Sequence, residues 1–179
     1  MVKITVSGHP GSGTSTLVNK LVESMNWTSL NGGDIFRSEA KKRSMTLSDF
    51  GELCKNDLQV DRELDDLLKE KMSGADSVDI IESRLAGWWA HLLNLDCVRL
   101  WIDVSDEVRA QRVVAREGGT ISQALENNAK RSAIDASRFN ELYNISPQDP
   151  EAYTHVVDAS EMSIDEVLSC VVNILEEFK

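Results

Sequence analysis

The sequence has no block of basic residues and no long apolar run, and each absence excludes a class of protein. Lys and Arg total 19 against 30 Asp and Glu, which gives a net charge of −11. A protein that binds a nucleic-acid duplex needs a concentrated positive surface, so we predict no nucleic-acid partner. No apolar segment approaches the roughly 20 residues that cross a bilayer, so we predict no membrane partner either.

Cysteine is scarce as well. The three cysteines, Cys54, Cys97 and Cys170, are far apart and odd in number, so the pattern supports neither a disulfide framework nor a metal site. The N-terminal segment MVKITVSG has no signal-peptide architecture. We therefore expect a cytoplasmic protein with reduced thiols. Its 179 residues are enough for one domain with a full core.

A lysine is missing from the most informative segment of the chain. GHPGSGTS, residues 8–15, follows the pattern of a phosphate-binding P-loop, which is Gly, four residues, Gly, Lys and then Ser or Thr. Thr14 stands at the Lys position. Because that Lys normally places a positive charge against nucleotide phosphates, either this loop has lost its chemistry or the charge comes from elsewhere in the chain.

Apolar periodicity predicts an α/β fold in which strands alternate with helices. Short β-branched runs predict the strands, and apolar residues at helical spacing predict the helices. The predicted strands are 2–7, a short one within 27–34, 77–83, 97–104 and 154–160, and the predicted helices are 14–25, 33–43, 46–56 capped by Thr46, 57–72, 105–117 capped by Ser105, 122–143 and 163–178. The alternation favours a five-stranded parallel sheet with helices on both faces. The helical stretch between the second and third strands is long for one crossover and could form a mobile flap.

The glycines of the loop suit a phosphate cradle. Gly8, Gly11 and Gly13 let backbone N–H groups turn inward around phosphate oxygens, and the helix that follows aims its positive end at the same point. The Ser15 hydroxyl suits Mg²⁺. The alternative is a strand-to-helix turn that merely needs glycines. Glu82 ends the third predicted strand, where ligands bind in open α/β sheets, and it either holds a Mg²⁺-bound water or is a solvated acid.

Arginines are the candidates for the missing charge, because guanidinium groups bind phosphate oxygens in pairs and stay charged. Arg112 and Arg116 share one helix face, and Arg131 and Arg138 share another, with Asp135 between them. Taken singly, each arginine is most simply a surface residue in a salt bridge. Together they are the set that phosphoryl transfer needs. The candidates are Arg37, Arg62, Arg84, Arg112, Arg116, Arg131 and Arg138.

Several segments, taken in order, resemble those of one known family. They are GHPGSGTS, GGDIFR, VDRELDDLL, ESRLAGWW, VRLWIDVSDEVRAQRVVAREG, KRSAIDASRF and SIDEVL. Over nearly its whole length the chain resembles the cytidylate kinases, specifically the archaeal type, in which Thr commonly stands where Thr14 does. The resemblance implies the P-loop fold of the nucleoside monophosphate kinases. It also implies Mg²⁺-dependent transfer of the γ-phosphoryl group of ATP to CMP, and to dCMP as well.

The resemblance further implies a role for each matching residue. The ATP phosphates would lie in the loop formed by Gly8, His9, Pro10, Gly11, Ser12, Gly13, Thr14, Ser15 and Thr16, and Mg²⁺ would meet Ser15 directly and Glu82 through water. The implied catalytic residues are Arg84, Arg112, Arg116 and Arg131, and the implied CMP-binding residues are Arg37, Arg62, Arg84, Asp135 and Arg138. Arg131 and Arg116 are the leading candidates to replace the missing Lys.

The resemblance also divides the single domain into three parts. These are a core of 1–31, 76–110 and 140–179, a helical nucleoside-monophosphate-binding insertion over about 32–75, and a small lid over about 111–139. ATP and CMP or dCMP are the implied partners, and we expect a monomer. Two alternatives stay open. One is a monophosphate kinase of the adenylate-kinase type, and the other is a nucleotide-binding protein without catalysis, which Thr14 suggests.

Overall fold

Five strands form one parallel sheet in the order β2-β3-β1-β4-β5. The computed structural model describes residues 1–178 apart from the side chains of Leu47, Ser48 and Lys55. Lys179, the last residue of the predicted core, lies outside the described residues. The strands are β1 (Ile4–Gly8), β2 (Ser29–Asn31), β3 (Ile80–Glu82), β4 (Val98–Asp103) and β5 (His155–Asp158). The predicted five-stranded parallel sheet is thus confirmed, with strand bounds that shift by one to three residues.

Eight helices connect and cover these strands. They are α1 (Thr14–Met25), α2 (Gly32–Lys42), α3 (Leu47–Asn56), α4 (Leu58–Ser73), α5 (Ala86–Leu92), α6 (Asp106–Glu117), α7 (Ile121–Tyr143) and α8 (Ile164–Glu177). The predicted caps are confirmed, because the Thr46 side chain accepts from Asp49 N–H and the Ser105 side chain accepts from Val108 N–H. None of the helices in residues 1–178 is long and apolar enough to cross a membrane.

Helices cover both faces of the sheet, as the alternating pattern predicted. On one face, Val6 and Leu100 of the sheet pack in a cluster with Leu17 of α1 and Val171 of α8. On the other face, aromatic rings dominate, and Trp89 of α5 and Phe139 of α7 belong to the cluster that contains Trp101 of β4. All five residues of β1 are buried, as expected for a central parallel strand covered on both sides.

Helix α5 and a short 3-10 turn at Pro150–Ala152 are absent from the sequence-based prediction. Five of the seven residues of α5 are buried, among them Trp88 and Trp89. A helix that is buried nearly all round has no polar face, so it lacks the periodicity on which a helix prediction depends. Helices α2, α3 and α4 have a separate small apolar cluster of their own around Phe50.

Candidate active site

The carboxyl ends of the parallel strands meet at one edge of the sheet, and a main cavity of about 620 Å³ opens there. β1 ends at Gly8, where the glycine loop begins, and β3 ends at Glu82 as predicted. Most of the predicted site residues line this cavity. They are Gly8, His9, Pro10, Gly11, Gly13, Thr14, Ser15, Thr16, Glu82, Arg84, Arg116, Arg131, Asp135 and Arg138.

The glycine loop has the backbone of an anion-binding turn. Gly11 and Gly13 have φ of 85° and 87°, a left-handed conformation that side chains other than glycine rarely adopt. Gly13 leads directly into α1, so the free N–H groups and the positive dipole end of that helix face the main cavity. Helix α1 therefore begins where the sequence predicts a phosphate-binding helix to begin.

The Glu82 carboxylate links the glycine loop to the sheet through hydrogen bonds. Its Oε1 accepts hydrogen bonds from Thr14 Oγ1 and from Ser15 Oγ, both at 2.7 Å. Its Oε2 accepts from Asn31 Nδ2, also at 2.7 Å, because Asn31 of β2 lies opposite Glu82 of β3 in the sheet register. Sequence reasoning missed Asn31, since a single Asn at a strand end carries no distinctive pattern.

Thr14, which stands at the position of the missing Lys, is bonded to Glu82. The residue is buried, with 8% of its surface exposed, and its hydroxyl donates to Glu82 rather than facing an open phosphate position. The site thus has no cation at this position and a short charge-assisted hydrogen bond in its place. Positive charge must therefore come from side chains elsewhere in the chain.

Four of the predicted arginines line the main cavity, namely Arg84, Arg116, Arg131 and Arg138. Arg84 is half-buried, donates from Nη1 to Gly8 O at 3.1 Å and pairs through Nε with Asp135 at 3.0 Å. Burial lowers the pKa of Arg84, and the nearby charge of Arg131 lowers it further. Arg116 is exposed and pairs with Glu117. Within residues 1–178, Arg131 has neither an ion pair nor a hydrogen bond.

The three other predicted arginines lie outside the main cavity. Arg37 pairs with Asp34 on the exposed surface of α2. Arg62 donates to Leu142 O at 3.3 Å, on a different face of α4 from the residues that line the cavity. Arg112 donates to Ser12 O at 2.8 Å and to Ala159 O at 2.7 Å, so it lies on the far side of the loop.

The end of the main cavity farthest from the loop is lined by alternating charges. Arg138 lies between two carboxylates, with Nε 3.3 Å from Asp61 Oδ2 and Nη2 3.5 Å from Asp135 Oδ1. Burial raises the pKa of Asp61, against the opposing effect of Arg138, and burial also raises the pKa of Asp65. Phe36, Leu64 and Phe139 add apolar surface beside these charges.

Sequence reasoning missed Asp61 and Asp65, although a signal for them existed. Asp61, Leu64, Asp65 and Leu68 follow the i, i+3, i+4, i+7 spacing of one helix face. Two acids in an otherwise apolar stripe indicate carboxylates that face the interior instead of solvent. The prediction selected Arg62 by resemblance, and Arg62 is one residue, or about 100°, away from this face.

A second, side cavity of about 560 Å³ lies across the loop from the first. It shares Gly11, Gly13, Thr16 and Arg116 with the main cavity. Its other lining residues are largely apolar, and Ser12 and Arg112, both predicted site residues, also lie here. The loop thus separates a charged cavity from an apolar one and borders both.

The two groups predicted to meet a metal ion, the Ser15 hydroxyl and the Glu82 carboxylate, both offer oxygen ligands, which suits a hard cation such as Mg²⁺. The Ser15 hydroxyl and the Glu82 carboxylate are 2.7 Å apart. Among residues 1–178 there is no group of three or more His, Cys, Asp or Glu side chains arranged to hold a metal ion. This arrangement fits Mg²⁺, which keeps several waters and takes one or two protein oxygens together with substrate phosphates.

The chain is similar to archaeal enzymes along nearly its whole length. A family model described as an AAA domain matches residues 7–129. The cytidylate kinase of Halobacterium salinarum is 35% identical over 98% of this chain and 90% of its own, and that of Methanocorpusculum labreanum is 36% identical over 95% and 94%. The crystal structure of shikimate kinase from Bacteroides thetaiotaomicron superposes with a TM-score of 0.63 at 15% identity, covering 98% of each chain, which shows a shared fold.

The Thr14–Glu82 hydrogen bond predicts a stability difference between two buried threonines. Thr14→Val removes a donor to a buried carboxylate and should lower the free energy of unfolding by about 1.5–3 kcal/mol. Thr5 in β1 is equally hidden, but its hydroxyl has no hydrogen-bond partner. Thr5→Val should therefore be neutral or stabilising. Urea unfolding of both variants checks this, and equal losses of stability would contradict the role given to the Thr14 hydroxyl.

Proposed function

The chain belongs to the cytidylate kinases, and we propose that it transfers the γ-phosphoryl group of ATP to CMP, giving ADP and CDP. The observation that supports this most strongly is the main cavity, in which the glycine loop and a charged pocket face each other with Arg84, Arg116 and Arg131 in the same space. Two phosphorylated substrates that meet there would have their phosphates surrounded by cations. Acceptance of dCMP, a monomeric state and a cytoplasmic location stay predictions.

The ATP phosphates would lie in the loop from Gly8 to Thr16. Its backbone N–H groups supply donors, and α1 adds its dipole. The base and ribose of ATP would extend into the side cavity, because that cavity is largely apolar and borders the same loop residues. Arg112 and Arg116 line it from α6 and would reach over the nucleotide.

CMP would lie at the charged end of the main cavity. Arg84 lines the main cavity beside the loop and would bind the acceptor phosphate, with Asp135 holding its guanidinium in place. The edge of cytosine has an amino donor next to two acceptors. The carboxylate of Asp61 beside the guanidinium of Arg138 offers the complementary acceptor and donor. The resemblance-based role of Arg138 is kept in this arrangement, and Asp61 joins it.

The chain would divide by function as the resemblance implies. Helices α2–α4, within the insertion of about 32–75, have their own apolar cluster, which would let them move as a unit against the sheet. The segment of about 111–139 includes Arg112, Arg116 and Arg131 and would form the lid. Closure of the insertion is the movement that would bring Arg37 and Arg62 toward the acceptor phosphate. The lid and the insertion together would exclude water and so limit hydrolysis of ATP.

The reaction needs positioning and charge more than acid–base chemistry. An oxygen of the CMP phosphate attacks the γ-phosphorus of ATP in line, and the new O–P bond forms as the bond to the β–γ bridging oxygen breaks. ADP leaves with that electron pair. Arg84, Arg116 and Arg131 would stabilise the charge spread over the transferring group. No general base is required, because the acceptor oxygen is already ionised.

Mg²⁺ would be held by Ser15 directly and by Glu82 through water. When bound, it neutralises charge on the phosphate oxygens of ATP and orients them. The hydrogen bond between Ser15 and Glu82 keeps the hydroxyl and the carboxylate together. Asn31 holds the second carboxylate oxygen, so Glu82 cannot swing away from the loop without losing that bond.

Arg131 is the sharpest test of the catalytic proposal, because in the described part of the chain it has neither an ion pair nor a hydrogen bond. Arg131→Ala should lower the turnover number about 100-fold or more, since it removes one cation from the transition state, and it should leave the melting temperature unchanged. Lys130→Ala is the control, since Lys130 is an exposed cation on the same helix, paired with Glu126. A coupled assay of ADP release with ATP and CMP measures both. Near-normal turnover of Arg131→Ala would show that our role for Arg131 is wrong.

Asp61 offers a test of base recognition. Asp61→Asn can present an amide N–H to the O4 of uracil, so the ratio of kcat/KM for CMP to that for UMP should fall about tenfold or more. Asp66→Asn, on the exposed face of α4, should leave the ratio unchanged. AMP serves as the third acceptor. A strong preference of the wild-type protein for AMP, or no ADP release that depends on a monophosphate, would overturn the cytidylate kinase proposal itself.

A further inference from the structure

Alternate carbonyl groups of the glycine loop each accept a hydrogen bond from an arginine. Arg84 Nη1 donates to Gly8 O at 3.1 Å, Arg109 Nη1 to Pro10 O at 2.9 Å, and Arg112 Nη1 to Ser12 O at 2.8 Å. Arg84 follows β3, whereas Arg109 and Arg112 lie on α6, so two separate parts of the chain converge on the loop. The His9 carbonyl, which lies between those of Gly8 and Pro10, accepts a hydrogen bond from Ser12 N–H at 3.1 Å.

These bonds orient the other side of each peptide unit. A trans peptide is planar, and its N–H points opposite to its C=O. An arginine on the carbonyls of Gly8, Pro10 and Ser12 therefore turns the N–H groups of the next residues, 9, 11 and 13, the opposite way. The His9 N–H points toward Ile102 of β4, because Gly8 is in register with Ile102 at the end of β1. Within residues 1–178, neither the Gly11 N–H nor the Gly13 N–H has an acceptor, and both glycines line the main cavity.

Arg109 is the least expected member of this set. Only 4% of its surface is exposed, and it does not line either cavity. One side of its guanidinium pairs with Asp106, and among residues 1–178 its Nε has no hydrogen-bond partner. Burying a cation this deeply is costly unless it is paired. Arg109 lies directly behind the glycine loop, and its hydrogen bond to Pro10 O accounts for its burial there.

We propose that Arg84, Arg109 and Arg112 form an arginine clamp that does for this loop what the missing Lys does elsewhere. Arg109 and Arg112 aim the N–H groups of Gly11 and Gly13 at the phosphates, while Arg84 holds the Gly8 carbonyl where the loop begins. Because hydrogen bonds polarise one another, a cation on each carbonyl also strengthens the N–H of the same peptide as a donor. Arg109 is a positioning residue, since it acts through the Pro10–Gly11 peptide and does not touch the nucleotide. The clamp rests on the proposed function only in requiring a polyphosphate ligand.

The first arm of the test measures binding of inorganic tripolyphosphate by calorimetry. Arg109→Met should weaken binding about tenfold, and in the coupled assay it should raise the KM for ATP while leaving the KM for CMP unchanged. Arg99→Met is the matched control, because Arg99 also donates to a backbone carbonyl, that of Ala152 at 2.9 Å, and lies outside both cavities. That variant should bind tripolyphosphate within about twofold of wild type.

The second arm needs no ligand and also serves if Arg109→Met folds poorly. In ¹H–¹⁵N correlation spectra, Arg109→Lys should shift the Gly11 amide resonance and leave that of Gly13 unchanged. The reason is that only the Pro10–Gly11 peptide loses the guanidinium group bonded to its carbonyl. Arg112→Met should do the reverse, shifting Gly13 and sparing Gly11. Arg99→Met should move neither amide. This one-to-one pattern is specific to the clamp, since general loss of stability would disturb both glycines together.

The outcomes separate the clamp from the kinase proposal. If wild type binds tripolyphosphate and Arg109→Met binds it equally well, the clamp is overturned and the kinase proposal stands. If wild type binds none, both are overturned. Shifts of Gly11 and Gly13 that do not follow the matching arginine also overturn the clamp. Weakened binding of Arg109→Met together with the paired amide shifts supports it.

Discussion

The carboxylate of Glu82 is the interaction on which the rest of the site depends. It ties together the end of β3, the end of β2 through Asn31, and the start of α1 through Thr14 and Ser15. A buried carboxylate is costly unless its oxygens are bonded, and here both oxygens accept bonds. Arg84 follows only two residues later and itself bonds to Gly8 O, so the segment after β3 contacts the glycine loop twice.

Because Thr14 stands where a P-loop has its lysine, two sets of groups share the function of that lysine. Inside the loop, the Thr14 hydroxyl keeps Glu82 in place without adding charge. Outside the loop, arginines hold the backbone, and Arg84, Arg116 and Arg131 supply cations in the main cavity. The positive charge that one lysine would concentrate in the loop is thus spread over several arginines around the cavity.

Periodic sequence patterns predicted the fold well. The helix and the residues that the prediction missed depend on contacts between distant parts of the chain. The five strands, the glycine loop and the caps at Thr46 and Ser105 follow from local sequence. Helix α5 was missed because a helix that is buried nearly all round has no polar face. Asn31 and Arg109 act through register and tertiary approach, which no local pattern encodes. Resemblance does not specify which face of α4 turns inward, so it could not show that Asp61 lines the cavity and Arg62 does not; the role of Arg62 stays a prediction.

The turnover number of Thr14→Lys with ATP and CMP tests the central claim most directly. In this structure a lysine at position 14 would face the Glu82 carboxylate and displace the hydroxyl that holds it. If arginines already supply the charge, restoring the usual lysine should leave kcat unchanged or lower it. A gain of about tenfold or more, the size expected for one added cation at a transition state, would contradict the account.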